Sequence, residues 1–224
     1  MSVSGGDPFS QLLYPMLTEQ PPVAGPVIDE LALAPLEKAA ESNRLRRQLV
    51  SDHGAEILAC AERLAAVFRQ GGRLFACGNG GSATSAADMA AELLNPAPPH
   101  PSLPALCLTN DIAVVTAISN DVSFDDVFAR QLIALGRRGD VVVAVSTSGN
   151  SENLLRGLHE ARVRGMVTVG LSGNDGGRMA RPGTLDHCFV VRSSSVHRIQ
   201  EVQTTLHHLL IELVQRAMED RACA

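Results

Sequence analysis

The sequence predicts an α/β fold, a single doubly wound domain whose central, mostly parallel sheet has about five strands flanked by helices. From residue 74 onward, short apolar runs alternate with longer segments of helical periodicity, the order expected of parallel strands joined by crossover helices. The clearest run is Asp140–Val145 (DVVVAV), which is typical of a buried strand. Small polar residues follow this run and an earlier one, and there the sequence predicts turns into helices.

The chain divides by pattern into an irregular N-terminal extension at residues 1–28, a domain at 29–218 and a short tail at 219–224. Residues 29–70 predict two helices, interrupted near Ser51–Gly54. The remaining elements are, in order, a strand at Leu74–Cys77, a helix through Met89 and Leu93, a strand at Leu106–Leu108, an ambiguous segment at Asp111–Ile118, a helix at Asp125–Leu135, the strand at Asp140–Val145, a helix ending near Arg164, strands at Met166–Leu171 and His187–Val191, and a helix at Ser195–Met218 capped by Ser195.

Composition excludes several classes of protein. The 224 residues are 45% hydrophobic and 19% charged, which is ordinary globular usage and enough chain for a core. The net charge is −5 and the positive residues are scattered, so nucleic acid is not an expected ligand. No apolar run reaches the roughly 18 residues of a membrane helix, and no secretory signal is present, so we expect a cytoplasmic protein. The five cysteines include no CxxC pair and predict buried, reduced thiols.

Two predicted strand-to-helix junctions are suited to a phosphate group. They are Gly78–Ser82 (GNGGS) and Ser146–Ser151 (STSGNS). Glycine lets the backbone approach a ligand closely, hydroxyls donate to anionic oxygens, and the helix N-terminus adds its amides. Because parallel sheets bind ligands at the carboxyl ends of strands, two such loops can bracket one small phosphorylated molecule. Ordinary turns remain the alternative, and the chain lacks both GxGxxG and GxxxxGK[ST], so adenine nucleotides are poorly supported.

Two helices carry candidate acid, base and metal-binding groups. Asp88 and Glu92 are four residues apart, so both carboxylates lie on one helix face, among small neighbours that suit close packing. Gln200 and His208, on the last helix, share a broad face. Together the four side chains can supply an oxygen-rich divalent metal site with one nitrogen ligand. Solvated acids and a structural histidine are the alternative interpretation.

These motifs occur in register with an Asn120-Asp121 pair before Phe124, with GMVTVGLSGNDGG at residues 165–177 and with RIQEVQTTLHHLLIELV at residues 198–214. In this combination the sequence resembles the sugar isomerase (SIS) fold and, within it, the phosphoheptose isomerases. The resemblance extends over residues 29–218. It implies an aldose–ketose isomerase that interconverts sedoheptulose 7-phosphate and D-glycero-D-manno-heptose 7-phosphate, or a closely related phosphosugar, through an enediol.

The resemblance also implies a homotetramer with sites between subunits, and a role for each matching residue. Glu92 matches the base and His208 the partner acid. Residues that match substrate contacts are Asn79, Gly80, Gly81, Ser82, Asn120, Asp121, Ser146, Thr147, Ser148, Ser151 and Gln200. Some SIS-domain proteins instead bind phosphosugars without catalysis or associate with a replication initiator. The presence of both Glu92 and His208 favours the enzyme.

Three residues depart from the pattern of the resembled family. Asp88 stands where the family has a metal-binding histidine, Pro96 where it has a substrate-contacting arginine, and His197 where it has an aspartate. The resemblance implies one divalent metal ion per subunit, zinc in the family, held here by Asp88, Glu92, Gln200 and His208. A carboxylate in place of imidazole shifts the preference toward metals that favour oxygen. These departures also leave the exact sugar phosphate open.

Overall fold

The computed structural model describes the backbone of residues 24–219 and the side chains of residues 33–219. Five strands and six α-helices follow in the order α1 (Ala24–Arg69), β1 (Leu74–Gly78), α2 (Gly81–Leu94), β2 (Ala105–Cys107), α3 (Ile112–Asp121), α4 (Val127–Leu135), β3 (Val141–Val145), α5 (Glu152–Val163), β4 (Val167–Gly173), β5 (His187–Val191) and α6 (Val196–Glu219). A 3₁₀ turn at Phe124–Asp126 precedes α4. The predicted strands all form, with small shifts at their ends.

The five strands form one sheet in the order β2-β1-β3-β4-β5, and every neighbouring pair is parallel. This confirms the predicted fold class. The strand order reverses between β1 and β3, because β2 lies on one side of β1 and the later strands lie on the other. Doubly wound sheets of this order bind ligands outside the carboxyl ends of the strands at that switch point.

Strand β3 shows how the sheet is buried on both faces. Val141, Val143 and Val145 pack into a core cluster with residues of α1, α2 and α6, while Val142 and Ala144 pack into a second cluster with α4 and α5. All five residues are at most 1% exposed. Alternate strand residues point to opposite faces, so a continuous apolar run is what a sheet covered by helices on both sides requires.

Helix α1 corrects the predicted break near Ser51–Gly54, because it is continuous through this segment. Leu49 and Ile57, on either side, are 5% and 1% exposed, and their burial outweighs the roughly 1 kcal/mol that a glycine costs within a helix. The helix already includes residues 24–28 of the predicted irregular extension. Residues 1–23 and 220–224 lie outside the described range. The chain divides after Ala40 into two compact units, and the site described below lies in the second.

The ambiguous segment after β2 is helical. The Asp111 carboxylate accepts hydrogen bonds from the amides of Ala113 and Val114, at 3.0 and 3.1 Å, and so caps helix α3. Among residues 24–219, no helix combines the length and the apolar character needed to cross a bilayer.

The cysteine prediction is confirmed for the described thiols. Cys60, Cys77 and Cys107 are free and buried, and Cys188 is free and half-buried. Burial raises the pKa of Cys60 to about 12 and that of Cys188 to about 11, which keeps both thiols protonated and unreactive at neutral pH. Cys223 lies outside the described residues.

Candidate active site

The two small-residue loops lie side by side at the switch point of the sheet. Residues 79–80 connect β1 to α2, and residues 146–151 connect β3 to α5. Neither helix N-terminus has a side-chain cap, because the cap residue of α2 is Gly80 and the side chain of Ser151 accepts no hydrogen bond from the amides of α5. Among the described residues, nothing accepts a hydrogen bond from the first-turn amides of Gly81, Glu152 and Asn153. These amides remain available, together with the positive end of each helix dipole, for an anionic ligand between the loops.

A reciprocal amide pair joins the two loops. Asn79 Nδ2 donates to Asn153 Oδ1 and Asn153 Nδ2 donates to Asn79 Oδ1, both at 2.9 Å. Asn153 is 2% exposed, and its Oδ1 also accepts from the amide of Leu154 at 2.9 Å. Asn153 is not among the residues predicted from sequence, because a second asparagine after STSGNS is typical of an ordinary helix start. In the structure it fixes the distance between the two loops.

We expect Asn153→Ala to lower the free energy of unfolding by about 2 kcal/mol, because it removes three hydrogen bonds, two with Asn79 and one from the amide of Leu154, and leaves the Asn79 amide without its partner. Urea unfolding of the wild type, both single variants and the Asn79→Ala/Asn153→Ala double variant forms a mutant cycle. The double variant should lose much less than the sum of the single losses. Additive losses would show that the two loops are not coupled through this pair.

The STSGNS loop uses some of its hydroxyls internally and leaves others available. Ser146 is 4% exposed, and its Oγ accepts from the amide of Gly149 at 3.0 Å, so it shapes the turn. Thr147, Ser148 and Ser151 are half-buried at the loop surface. Ser148 Oγ accepts only a long bond, 3.3 Å, from the amide of Asn150. These three hydroxyls are accessible to a ligand, and the predicted contact of Ser146 with substrate remains a prediction, since a hydroxyl that accepts one bond can still donate its own proton.

Arg178 lies beside the same loop and balances the one acid of the following helix turn. Its guanidinium donates to the Glu152 carboxylate at 2.5 Å and to the carbonyl of Asn150 at 3.2 Å. The hydrogen bond from Arg178, with a smaller contribution from Arg156, lowers the pKa of Glu152. The Glu152 carboxylate is therefore ionised, but the positive charge of Arg178 offsets it. Its repulsion of an anionic ligand is reduced.

Gln200 lies at the loop end of helices α2 and α6. A Cβ atom built on Gly81 would come within 2.5 Å of Gln200 Nε2. Glycine at position 81 is what allows the Gln200 amide to lie against the first turn of α2. Gly80 takes a positive φ of 55°, which favours glycine there as well. The residues predicted to contact substrate at positions 79–82, 146–151 and 200 thus lie around one end of α2 and α5.

At the other end of α2, Glu92 pairs with His208. Glu92 Oε2 lies 2.8 Å from His208 Nδ1, with both side chains partly exposed, at 37% and 48%. The carboxylate and the imidazole are therefore held in contact and open to solvent. A general base in contact with a second group that can donate or accept a proton is suited to proton transfer on a bound molecule.

Asp88 also lies at this end, and an adjacent histidine joins it. Asp88 Oδ2 is 3.3 Å from His207 Nε2 and 3.9 Å from His208 Nε2. Burial, together with the neighbouring His208, lowers the pKa of His207 to about 4, so this imidazole is neutral at pH 7. His207 is not among the site residues predicted from sequence, because a histidine among leucines on a buried face is usually part of the core.

The metal ligands predicted from sequence are Asp88, Glu92, Gln200 and His208, and the structure places His207 beside two of them. Asp88, His207 and His208 each offer one ligand atom, and these atoms lie within 4.8 Å of one another, so the cluster could hold a metal ion. Neither ring nitrogen of buried His207 makes a hydrogen bond within the described part of the chain, which fits a site completed by an ion. Gln200 lies against Gly81 at the start of α2, and its predicted part in the ligand set remains a prediction.

Asn120 and Asp121 are at the carboxyl end of helix α3, and both are exposed. Asn120 Nδ2 donates to Asp121 Oδ1 at 2.7 Å. Among the described residues, no hydrogen bond or ion pair connects either side chain to the loops or to the Glu92–His208 pair. Their predicted contact with sugar hydroxyls remains a prediction.

Known proteins resemble this chain in sequence and in structure. The SIS domain family matches residues 39–173. The phosphoheptose isomerase of Nitratidesulfovibrio vulgaris is 42% identical over 190 residues, which are 84% of this chain and 90% of the relative. That of Solidesulfovibrio magneticus is 45% identical over 175 residues, 78% of this chain and 84% of the relative.

The solved structure of phosphoheptose isomerase GmhA from Neisseria gonorrhoeae superimposes with a TM-score of 0.76 at 36% identity, covering 84% of this chain and 99% of that one. A phosphoheptose isomerase structure from Francisella tularensis superimposes with a TM-score of 0.71 at 29% identity, covering 82% and 99%. The likeness covers 84–99% of the length of these relatives. The chain belongs to the phosphoheptose isomerase family of SIS-domain proteins.

Proposed function

We propose that this protein is a phosphosugar isomerase that interconverts sedoheptulose 7-phosphate and D-glycero-D-manno-heptose 7-phosphate. The observation that carries the proposal is the contact of Glu92 with His208, 2.8 Å apart and open to solvent, in a chain of this family. A protein that only binds phosphosugars needs the loops at the switch point. It has no use for a carboxylate–imidazole pair held at the far end of α2.

The positions of the two groups support a site shared between subunits. Glu92 is eleven residues beyond Gly81, about 16 Å along helix α2. A heptose 7-phosphate measures roughly 10 Å from its first carbon to its phosphate, with carbon–carbon bonds of about 1.5 Å. The loops of one subunit and the Glu92–His208 pair of another would meet around one substrate. The homotetramer is part of this proposal, as is a cytoplasmic location.

Within such a site, each side chain has a chemical role. Hydroxyls of Thr147, Ser148 and Ser151, with the N-terminal amides of α5, bind the phosphate and so position the distant reacting carbons. The Glu92 carboxylate removes a proton from C1 of the ketose while a proton from His208 reaches the carbonyl oxygen on C2, which gives the 1,2-enediol. The O1 hydroxyl proton then leaves to His208 as Glu92 returns its proton to C2, which gives the aldose.

A divalent ion, when bound at the Asp88–His207–His208 cluster, supplies Lewis-acid polarisation of the substrate's carbonyl and hydroxyl oxygens. The residues themselves still move the protons. Pro96 and His197 replace two polar residues of the family pattern, so a close relative of the heptose phosphate is the substrate to test next.

The phosphate-binding part of the proposal predicts that Ser148→Ala weakens binding of sedoheptulose 7-phosphate about 10- to 100-fold, because a hydrogen bond to a charged group is lost. Isothermal titration of both the sugar phosphate and inorganic phosphate measures the effect. Ser51→Ala, on the exposed face of α1, is the matched control and should bind as the wild type does. Equal affinities for the two variants would place the phosphate elsewhere.

The shared site predicts complementation between a variant with slow turnover and a variant with weak substrate binding. Glu92→Gln and Ser148→Ala subunits are unfolded together and refolded as a mixture. The mixture should regain turnover at substrate concentrations below the dissociation constant of the Ser148→Ala variant for the substrate. In the hybrid, one site combines an intact loop with an intact Glu92. Refolding each variant alone is the control. A mixture no more active than the two separate variants would show that loop and base act within the same subunit.

A further inference from the structure

His207 is a buried imidazole without a hydrogen-bond partner. Its side chain is 1% exposed, and neither Nδ1 nor Nε2 makes a hydrogen bond with any described residue. Nε2 lies 3.3 Å from Asp88 Oδ2, which is an ion-pair distance. Buried polar groups in native proteins nearly always have a partner. We therefore expect a partner for the nitrogens of the His207 ring, which faces the Asp88 carboxylate.

The neighbouring groups converge on the same point. His208 Nε2 is 3.9 Å from the same Asp88 oxygen, and the ligand atoms of the three residues lie within 4.8 Å of one another. Around a tetrahedral ion with bonds of about 2.0–2.2 Å, ligand atoms are roughly 3.3–3.6 Å apart. Asp88 and His208 are about half exposed, so an ion has a path in and can keep an open position for substrate.

The second nitrogen of His208 is already committed to Glu92. Glu92 Oε2 lies 2.8 Å from His208 Nδ1. In metal sites, a ligating histidine commonly donates its other N–H to a carboxylate, which fixes the tautomer and directs the remaining lone pair at the metal. This contact leaves Nε2 of His208 as the ligand atom, and it leaves Glu92 outside the ligand set.

We propose that His207 is a metal ligand in this chain, and that Asp88, His207 and His208 hold one divalent transition-metal ion of the Zn²⁺ type. The family has a metal-binding histidine at the position of Asp88, so this chain lacks one imidazole of the family pattern. His207 would supply that imidazole. Two imidazoles and one carboxylate favour Zn²⁺ or Co²⁺ over Mg²⁺ and Ca²⁺. The inference deepens the proposed function and rests on it only for what the ion does, since binding is measured without sugar.

The test uses the full-length protein, freed of metal by chelation and titrated with ZnCl₂, CoCl₂ and MgCl₂ by calorimetry, with elemental analysis after dialysis. We expect about one Zn²⁺ or Co²⁺ per chain, no comparable Mg²⁺ binding, and an affinity at least about 100-fold weaker in His207→Leu. The Co²⁺ absorption bands should also change. His159→Gln, an exposed histidine on α5, is the control and should bind as the wild type does.

Circular dichroism first establishes that His207→Leu is folded, and His207→Gln takes its place if it is not. Wild-type affinity and an unchanged Co²⁺ spectrum in a folded His207 variant would overturn the inference, as would a wild-type chain that retains neither ion. Failure of the proposed function looks different. In that case the ion binds through His207, yet sedoheptulose 7-phosphate is not converted.

Discussion

Glu92→Gln should reduce kcat by about 10³-fold or more while leaving the affinity for sedoheptulose 7-phosphate within a few-fold of the wild type. The substitution keeps the shape of the side chain but removes the carboxylate that we propose accepts the substrate's proton, and general acid–base catalysis contributes about 10²- to 10⁴-fold. The loops proposed to bind the phosphate lie at the other end of α2 and remain intact. NMR of the sugar mixture over time gives the rate, and titration calorimetry gives the affinity.

Glu62→Gln, on the exposed surface of α1, is the matched control and should retain full turnover. His208→Gln should be nearly as slow as Glu92→Gln, and the double variant little slower than either, because residues that act as a unit lose their effect together. Substantial turnover in Glu92→Gln would assign the proton transfer to a different group.

Gly149→Ala should lower the free energy of unfolding by about 3 kcal/mol and abolish phosphosugar binding. Gly149 has a φ of +65°, and a Cβ atom there would lie 2.0 Å from the carbonyl oxygen of Gly176 and 2.5 Å from Ser172 Oγ. A side chain in this backbone region costs roughly 1–2 kcal/mol, and the contact with Gly176 forces the loop to move as well. Urea unfolding and titration calorimetry measure the two losses.

Gly71→Ala separates the cost of the backbone angle from the cost of the contact with Gly176. Gly71 also has a positive φ, +78°, but an added Cβ would find nothing within 4 Å. This variant should lose only about 1 kcal/mol and should bind substrate normally. Equal destabilisation of the two variants would mean that the loop tolerates the contact with Gly176, and that Gly149 is there for its backbone angle alone.

The sheet could be predicted from sequence because its strands are buried on both faces. Val141–Val145 must be apolar throughout when α2 and α6 cover one face and α4 and α5 the other, and that demand is visible in the letters alone. The break predicted in α1 was wrong because Gly54 carries a local penalty, whereas the burial of Leu49 and Ile57 depends on tertiary contacts that a local pattern does not contain.

The candidate site also has features that could be predicted from sequence and features that could not. The two loops could be found because glycines and hydroxyls after apolar runs have a local meaning, and strand order then brings them together. Asn153 and His207 could not be found, because their importance lies in contacts with Asn79 and Asp88, which are 74 and 119 residues away in sequence. The contact of Gln200 with the start of α2 at Gly81 likewise depends on how α2 and α6 pack.

The most direct test of the account is to incubate the purified protein with sedoheptulose 7-phosphate in D₂O and to follow the sugar by NMR. An isomerase that works through an enediol, with the proton carried by the solvent-exposed Glu92, must form the aldose and introduce solvent deuterium at C2, and Glu92→Gln must stop both. Saturable binding without aldose and without deuterium in either sugar would contradict the account and identify a phosphosugar-binding protein instead.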